Sequence, residues 1–111
     1  MDPVDSYREA VMSILREWEM RPGPGSPLRF EAVFDRERDR YLLTVVGWDG
    51  PKHVHSTLVH IDLIGGKLWI HLDQTEEGVA PDLVTAGVPR DRIVLAFKSP
   101  ARRALTDYAV S

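Results

Sequence analysis

The hydrophobic period of this chain changes once, and the change falls on a segment that no regular element can cross. Arg21-Pro-Gly-Pro-Gly-Ser-Pro27 holds three prolines and two glycines. Each proline lacks a backbone N–H and fixes its own φ, so neither a helix nor a strand ladder continues through it. Before this segment, Val4, Tyr7, Val11, Ile14, Leu15 and Trp18 recur at steps of three and four, the spacing of one helical face. Asp2 can cap that helix, and Pro3 suits its first position, where the missing N–H costs nothing. Arg8, Glu9, Arg16, Glu17 and Glu19 make the opposite, solvated face. Some twenty residues cannot fold alone, so the segment is a flexible or extended connector inside one domain, and the helix is expected to lie on a sheet.

After the connector the period is two. Leu28, Phe30, Ala32 and Phe34 alternate with Arg29, Glu31, Val33 and Asp35. The run "DRERDR" turns the chain, and its alternating charges suggest a solvated turn. Tyr41 to Trp48 forms a second strand, Asp49-Gly50-Pro51 a second turn, and Val54 to Ile64 and Lys67 to Asp73 a pair joined by Gly65-Gly66, a tight hairpin loop. Four antiparallel strands in meander order are expected. Thr75 can cap a short second helix or the turn that leads to it, with Pro81 in its first turn and the helix proper from about Ala80 to Ala86. Gly87 fits the left-handed position after the helix, and Val88 and Pro89 follow it. Ile93 to Phe97, "IVLAF", suggests a fully buried strand, and Ser99-Pro100 starts a last helical turn through Arg102, Arg103 and Leu105. The fold class is therefore α+β: an antiparallel sheet of a four-strand meander plus a C-terminal strand, an N-terminal helix on one face and a short second helix, all within a single domain over residues 1-111.

Composition narrows the function. The absence of cysteine removes disulfides, thiolate metal sites and a cysteine nucleophile together. With no signal peptide and only strand-sized apolar runs, a cytoplasmic location and no membrane span are expected. Charge is uneven: residues 1-87 carry 9 basic against 15 acidic side chains, and residues 88-111 carry 5 against 2. Nucleic acid needs a clustered positive face. Only the last quarter can supply one, through Arg90, Arg92, Lys98, Arg102 and Arg103, and these five are the candidate docking patch for an acidic partner surface or for nucleic acid.

The stretch His60 to His71, "HIDLIGGKLWIH", is the one constellation with metal-ligand character. A Gly65-Gly66 loop sets Asp62 opposite Trp69 and His60 opposite His71, all on one face, with Val59, Ile61, Leu63, Leu68, Ile70 and Leu72 on the other. Two imidazoles and a carboxylate suit zinc or iron. Nothing in the spacing obliges the three to converge, and a polar sheet face, covered by Trp69 and a partner subunit, is the reading preferred here. No cofactor is expected. Glu76 and Glu77 are adjacent and point apart on a helix, which leaves them as N-terminal helix carboxylates. Ser56, Thr57 and Ser99 have no nucleophile elbow or identifiable base, and the glycines at 23 and 25 are not a phosphate loop.

Taken together, "FDRERDRYLLTVVGWDG" (34-50), "HIDLIGGKLWIHLDQTEEGVAPDLVTAGVPRDRIVLAFKSPARR" (60-103) and "TDYAV" (106-110) resemble the XisI family, the fdxN element excision controlling factors. The most specific parts are VGWD at 46-49, HID and GK-WI across 60-70, T-E-x-G at 75-78, and GVP at 87-89 followed by IVL and F-x-SP. The Pro-Gly connector and Pro81-Asp82 depart from the pattern. The resemblance implies accessory control of DNA element excision carried out by a separate recombinase, and a partner, an XisH-like protein with a nuclease-like fold. It transfers no catalytic residue.

These readings converge on a regulatory protein that is not an enzyme, is paired with an XisH-like partner, and self-associates as a two-fold dimer to cover its sheet. The rivals are a metal-dependent enzyme using His60, Asp62 and His71, and a direct DNA-binding accessory factor using the basic residues of 90-103.

Overall fold

A computed structural model describes residues 2–111. The order is α1 (Pro3–Glu19), β1 (Leu28–Asp35), β2 (Arg40–Asp49), β3 (Lys52–Ile64), β4 (Lys67–Asp73), α2 (Ala80–Thr85), a single 3-10 turn (Arg90–Arg92), β5 (Ile93–Leu95) and α3 (Pro100–Arg103). The strands form one sheet in the order β1-β2-β3-β4-β5. The four-strand meander is antiparallel, as the turn chemistry requires, and β5 joins it parallel to β4 after the α2 crossover.

Helix α1 begins as its sequence dictates: the Asp2 carboxylate accepts a hydrogen bond from the Val4 N–H at 2.9 Å, and Pro3 occupies the first turn. Its stripe Tyr7, Ala10, Val11, Ile14 and Leu15 is buried against alternate residues of the sheet, Tyr41 and Leu43 of β2, Val59 and Ile61 of β3, Leu68 and Ile70 of β4. Leu83 of α2 joins the same cluster, so both helices cover one face. Burying side chains of this size stabilises by roughly 1.5–3 kcal/mol each, which is why the helix holds its place despite the connector that follows it. That connector ends in a tight approach: a Cβ added at Gly47 would lie 2.2 Å from the Pro27 carbonyl oxygen, at a φ of +146°. Only glycine lets β2 pass the start of β1 there.

Two bulges adjust the sheet. In β3, Leu58 is the extra residue between the Val59↔Leu43 and Thr57↔Thr44 pairs. In β4, the register shifts so that Ile61 pairs with Ile70 and His60 with Leu72, which leaves His71 as the extra residue. The expected cross-strand partnership of His60 with His71 is thus replaced by His60↔Leu72, because a glycine-glycine loop fixes the register only up to the next bulge. The slip also moves Leu72 off the apolar face and brings Asp73 onto it, opposite the buried Val59.

Asp73 uses that position to build the next turn. Its Oδ2 accepts from the Val79 N–H at 2.7 Å, and its Oδ1 accepts from both the N–H (3.0 Å) and the hydroxyl (2.5 Å) of Thr75. Thr75 serves the turn rather than the helix, accepting from the Gly78 N–H at 3.1 Å. Glu76 and Glu77 consequently sit in this turn, exposed, and not in the first turn of α2. Helix α2 closes as expected, with Gly87 at φ +104° and the Val88 N–H donating to the Leu83 carbonyl at 3.0 Å. The strand expected over 93–97 stops at Leu95: Phe97 is 48% exposed and lies in a turn. Among the described residues, no helix is long and apolar enough to cross a membrane.

Candidate functional site

The face opposite the helices is the open face. It presents Leu42, Thr44, Val46 and Trp48 on β2, with His60 and Asp62 on β3, and on β4 Trp69, His71 and Leu72. Leu42, Thr44 and Val46 are half-buried and Trp48 is 57% exposed, so this is a mixed apolar and polar surface and not a cleft. Clefts lie elsewhere: one is lined by Ala10, Ile14, Glu17 and Asp82, another by Trp18, Arg21, Glu76 and Asp82, and a third by Arg21, Pro22, Leu28 and Phe30.

Within the open face, the bulge at His71 decides how the histidine pair is arranged. His60 Nε2 lies 2.9 Å from Asp62 Oδ1, and His71 Nε2 lies 3.1 Å from Asp62 Oδ2. The two rings are 5.0 Å apart, centroid to centroid. The structure brings the three candidate metal ligands together, but both imidazoles aim at the carboxylate, one on each oxygen, instead of at a shared vacant point. A carboxylate only accepts, so the His60 bond requires the proton on Nε2. Asp62 is the least exposed of the three side chains, at 15%. Among the described residues, no group of three or more histidine, cysteine or carboxylate side chains is arranged to hold a metal ion. The cluster is a compact polar contact in which the carboxylate lies within reach of both imidazoles.

The five basic candidates divide. Arg90 and Arg92 are exposed in the 3-10 turn, and Arg102 is exposed on α3. Lys98 is half-buried with its ammonium 5.6 Å from the Phe97 ring centroid. Arg103 is engaged within the fold. Its Nε donates to the carbonyls of Lys98 (2.9 Å) and Leu95 (3.3 Å), and its other nitrogens donate to those of Ala96 and Val110. Its guanidinium also lies 5.6 Å from the Trp69 ring, so it pins the C-terminal segment over the edge of the open face.

One network was hidden in the "DRERDR" turn. Asp39 adopts φ +54°, the one left-handed non-glycine residue among those described. There its carboxylate accepts from Arg8 Nε at 2.7 Å, from Arg8 Nη2 at 3.1 Å and from the Tyr41 hydroxyl at 2.8 Å. The bond from Arg8 holds the Asp39 carboxyl below the usual carboxylate range, and burial together with the bond to Asp39 pushes the Tyr41 phenol up to about 12. Alternating charge gave no hint of this, although Arg8 stands one residue beyond Tyr7 on α1 and Tyr41 two beyond Asp39.

Comparisons with known proteins agree with this fold. The XisI protein family model matches residues 1–110. A XisI-like protein from Anabaena variabilis ATCC 29413 superposes with a TM-score of 0.88 at 31% identity, covering 97% of this chain and 99% of that one. The fdxN element excision controlling factor XisI from the same organism superposes with a TM-score of 0.83 at 29% identity, covering 99% and 100%. No curated protein matches. A family match over nearly every residue, on a sheet and helix arrangement shared from end to end, places this chain in the XisI family.

Proposed function

We propose that this chain is a non-catalytic accessory protein that controls excision of a DNA element, or an XisH-like nuclease-fold partner, by docking its open sheet face on that partner. The observation that carries the reading is the character of that face: half-buried Leu42 and Val46 beside exposed Trp48, with a histidine and carboxylate cluster on it whose two imidazoles both turn to Asp62. Such a surface offers contact area and no activated group. Membership in the XisI family supports the regulatory role, since a similar structure is that of an excision controlling factor.

The test is to combine the purified chain with an XisH-like protein and follow cleavage of a DNA substrate. The chain alone is expected to leave DNA intact and to change the partner's rate when added. Cleavage by the chain alone, or a partner rate indifferent to saturating amounts of it, contradicts the proposal. Tight, steeply salt-dependent binding of DNA to the chain alone would favour the basic residues Arg90, Arg92, Lys98 and Arg102 instead.

A further inference from the structure

Three stretches of sheet edge lie outside the ladder, and the chain covers part of two of them itself. On β1, Glu19 Oε2 accepts from the Ala32 N–H at 2.7 Å. On β5, the Ala109 N–H donates to the Ile93 carbonyl at 2.9 Å, and Ala109 bridges Val94. The third is the distal half of β3. Strand β4 pairs only with Val59 to Ile64, the Gln74 N–H takes the Leu58 carbonyl at 2.8 Å, and from Thr57 back to Lys52 the strand pairs with β2 alone. Asp49↔Lys52 closes the hairpin, so alternation turns the backbone groups of His53, His55 and Thr57 to the open side. Among the described residues, no hydrogen bond reaches them there. An unpaired edge of this kind is a template for another strand.

We propose that this edge pairs antiparallel with the same segment of a second copy of the chain, about a two-fold axis at Val54. The register follows from what is already occupied. Gln74 holds the Leu58 carbonyl, so an incoming strand can extend only as far as Thr57. With Val54 on the axis, Pro51 of the second copy comes level with Thr57, and proline brings no N–H that would be left unpaired. His53 then lies across from His55 of the second copy, and the two such pairs exchange about four backbone hydrogen bonds.

The side chains agree with this occupant. From Lys52 to Ile61 there is no carboxylate and one permanent charge, Lys52, which falls opposite Ser56 of the second copy. An acidic strand would find little to pair with, whereas two copies set the one permanent charge opposite an uncharged serine. On the open face, Trp48 stands 4.8 Å from the His53 ring, and Val46 pairs with His55. The two-fold extends these pairs into one row, Trp48, His53, then His55 and Val46 of the second copy. This self-association is separate from the regulatory reading and holds or fails without it.

Sedimentation equilibrium of the full chain at neutral pH, over a hundredfold concentration range, tests it with two variants. His55→Pro removes an outward N–H and no β2 hydrogen bond, and Val54→Lys sets two ammonium groups facing across the axis. The wild-type chain is expected to dimerise, and each folded variant to do so at least tenfold more weakly, with an unchanged far-ultraviolet circular dichroism spectrum. A wild-type chain that stays monomeric, or a dimer that either folded variant leaves as tight as before, overturns the proposal.

Discussion

Arg8 and Asp39, 31 residues apart, form a two-pronged ion pair with Nε–Oδ1 at 2.7 Å and Nη2–Oδ2 at 3.1 Å. It locks α1 to the β1–β2 turn at one end of the helix, while the apolar stripe holds the rest. Both side chains are largely sheltered, at 16% and 23% exposure, so the pair is screened less than a surface salt bridge. Arg8→Ala is expected to cost about 2 kcal/mol by leaving a half-buried carboxylate with only the Tyr41 hydroxyl. Urea unfolding measures this, and Tyr41→Phe should cost less, about 1 kcal/mol, because it leaves the ion pair in place.

The same network sets a pH window for stability. Asp39 has a depressed carboxyl, so its contribution is present above the ordinary carboxylate range and is lost as pH falls through its folded value. Tyr41 has a raised phenol, so its contribution is whole below about pH 10 and is lost as pH rises toward about 12. Melting temperature followed against pH should therefore decline at both ends, and the alkaline decline should shrink in Tyr41→Phe.

Gly47→Ala tests the close passage of β2 across the connector. A Cβ there meets the backbone at Pro27 O (2.2 Å) and Leu28 Cα (2.9 Å), where no flexible side chain can yield. The substitution should lower stability by more than the roughly 1 kcal/mol that glycine-to-alanine changes usually involve, and should loosen the start of β1. Faster hydrogen exchange confined to residues 28–31 and 44–47 is the expected pattern.

The histidine cluster predicts indifference to metal. With both imidazoles turned to Asp62, adding equimolar zinc should leave the melting temperature unchanged, and Asp62→Asn should lower it by weakening the His60 bond. A zinc-induced rise of several degrees that His71→Ala abolishes would restore the metal reading.

Much of this architecture was legible because its signals are local. Asp2-Pro3, the three- and four-residue stripe of α1, Gly65-Gly66 and Gly87 each act on their nearest neighbours, and each sits where those rules place it. What escaped was long-range or a matter of single residues. A bulge costs one residue of register and has no composition of its own, so the crossing of His60 with Leu72 instead of His71 could not be read from the glycines. The end of β5 at Leu95 was hidden by the apolar Ala96 and Phe97 that follow it. Arg103 resembled a free surface charge until its four carbonyl partners came into view, and Asp39 looked solvated until α1 brought Arg8 to it.

The open face as a docking surface is the central claim, and calorimetric titration of this chain into the proposed XisH-like partner tests it most directly. Leu42 lies in the middle of that face, paired with Phe34's neighbour Val33 on one side and His60 on the other, while Glu17 lies on the solvated side of α1. The account predicts that the wild-type chain binds, that Leu42→Glu weakens binding at least tenfold with its fold intact, and that Glu17→Lys leaves it unchanged. Equal binding by wild type and a folded Leu42→Glu chain, or no binding by the wild type, would contradict it.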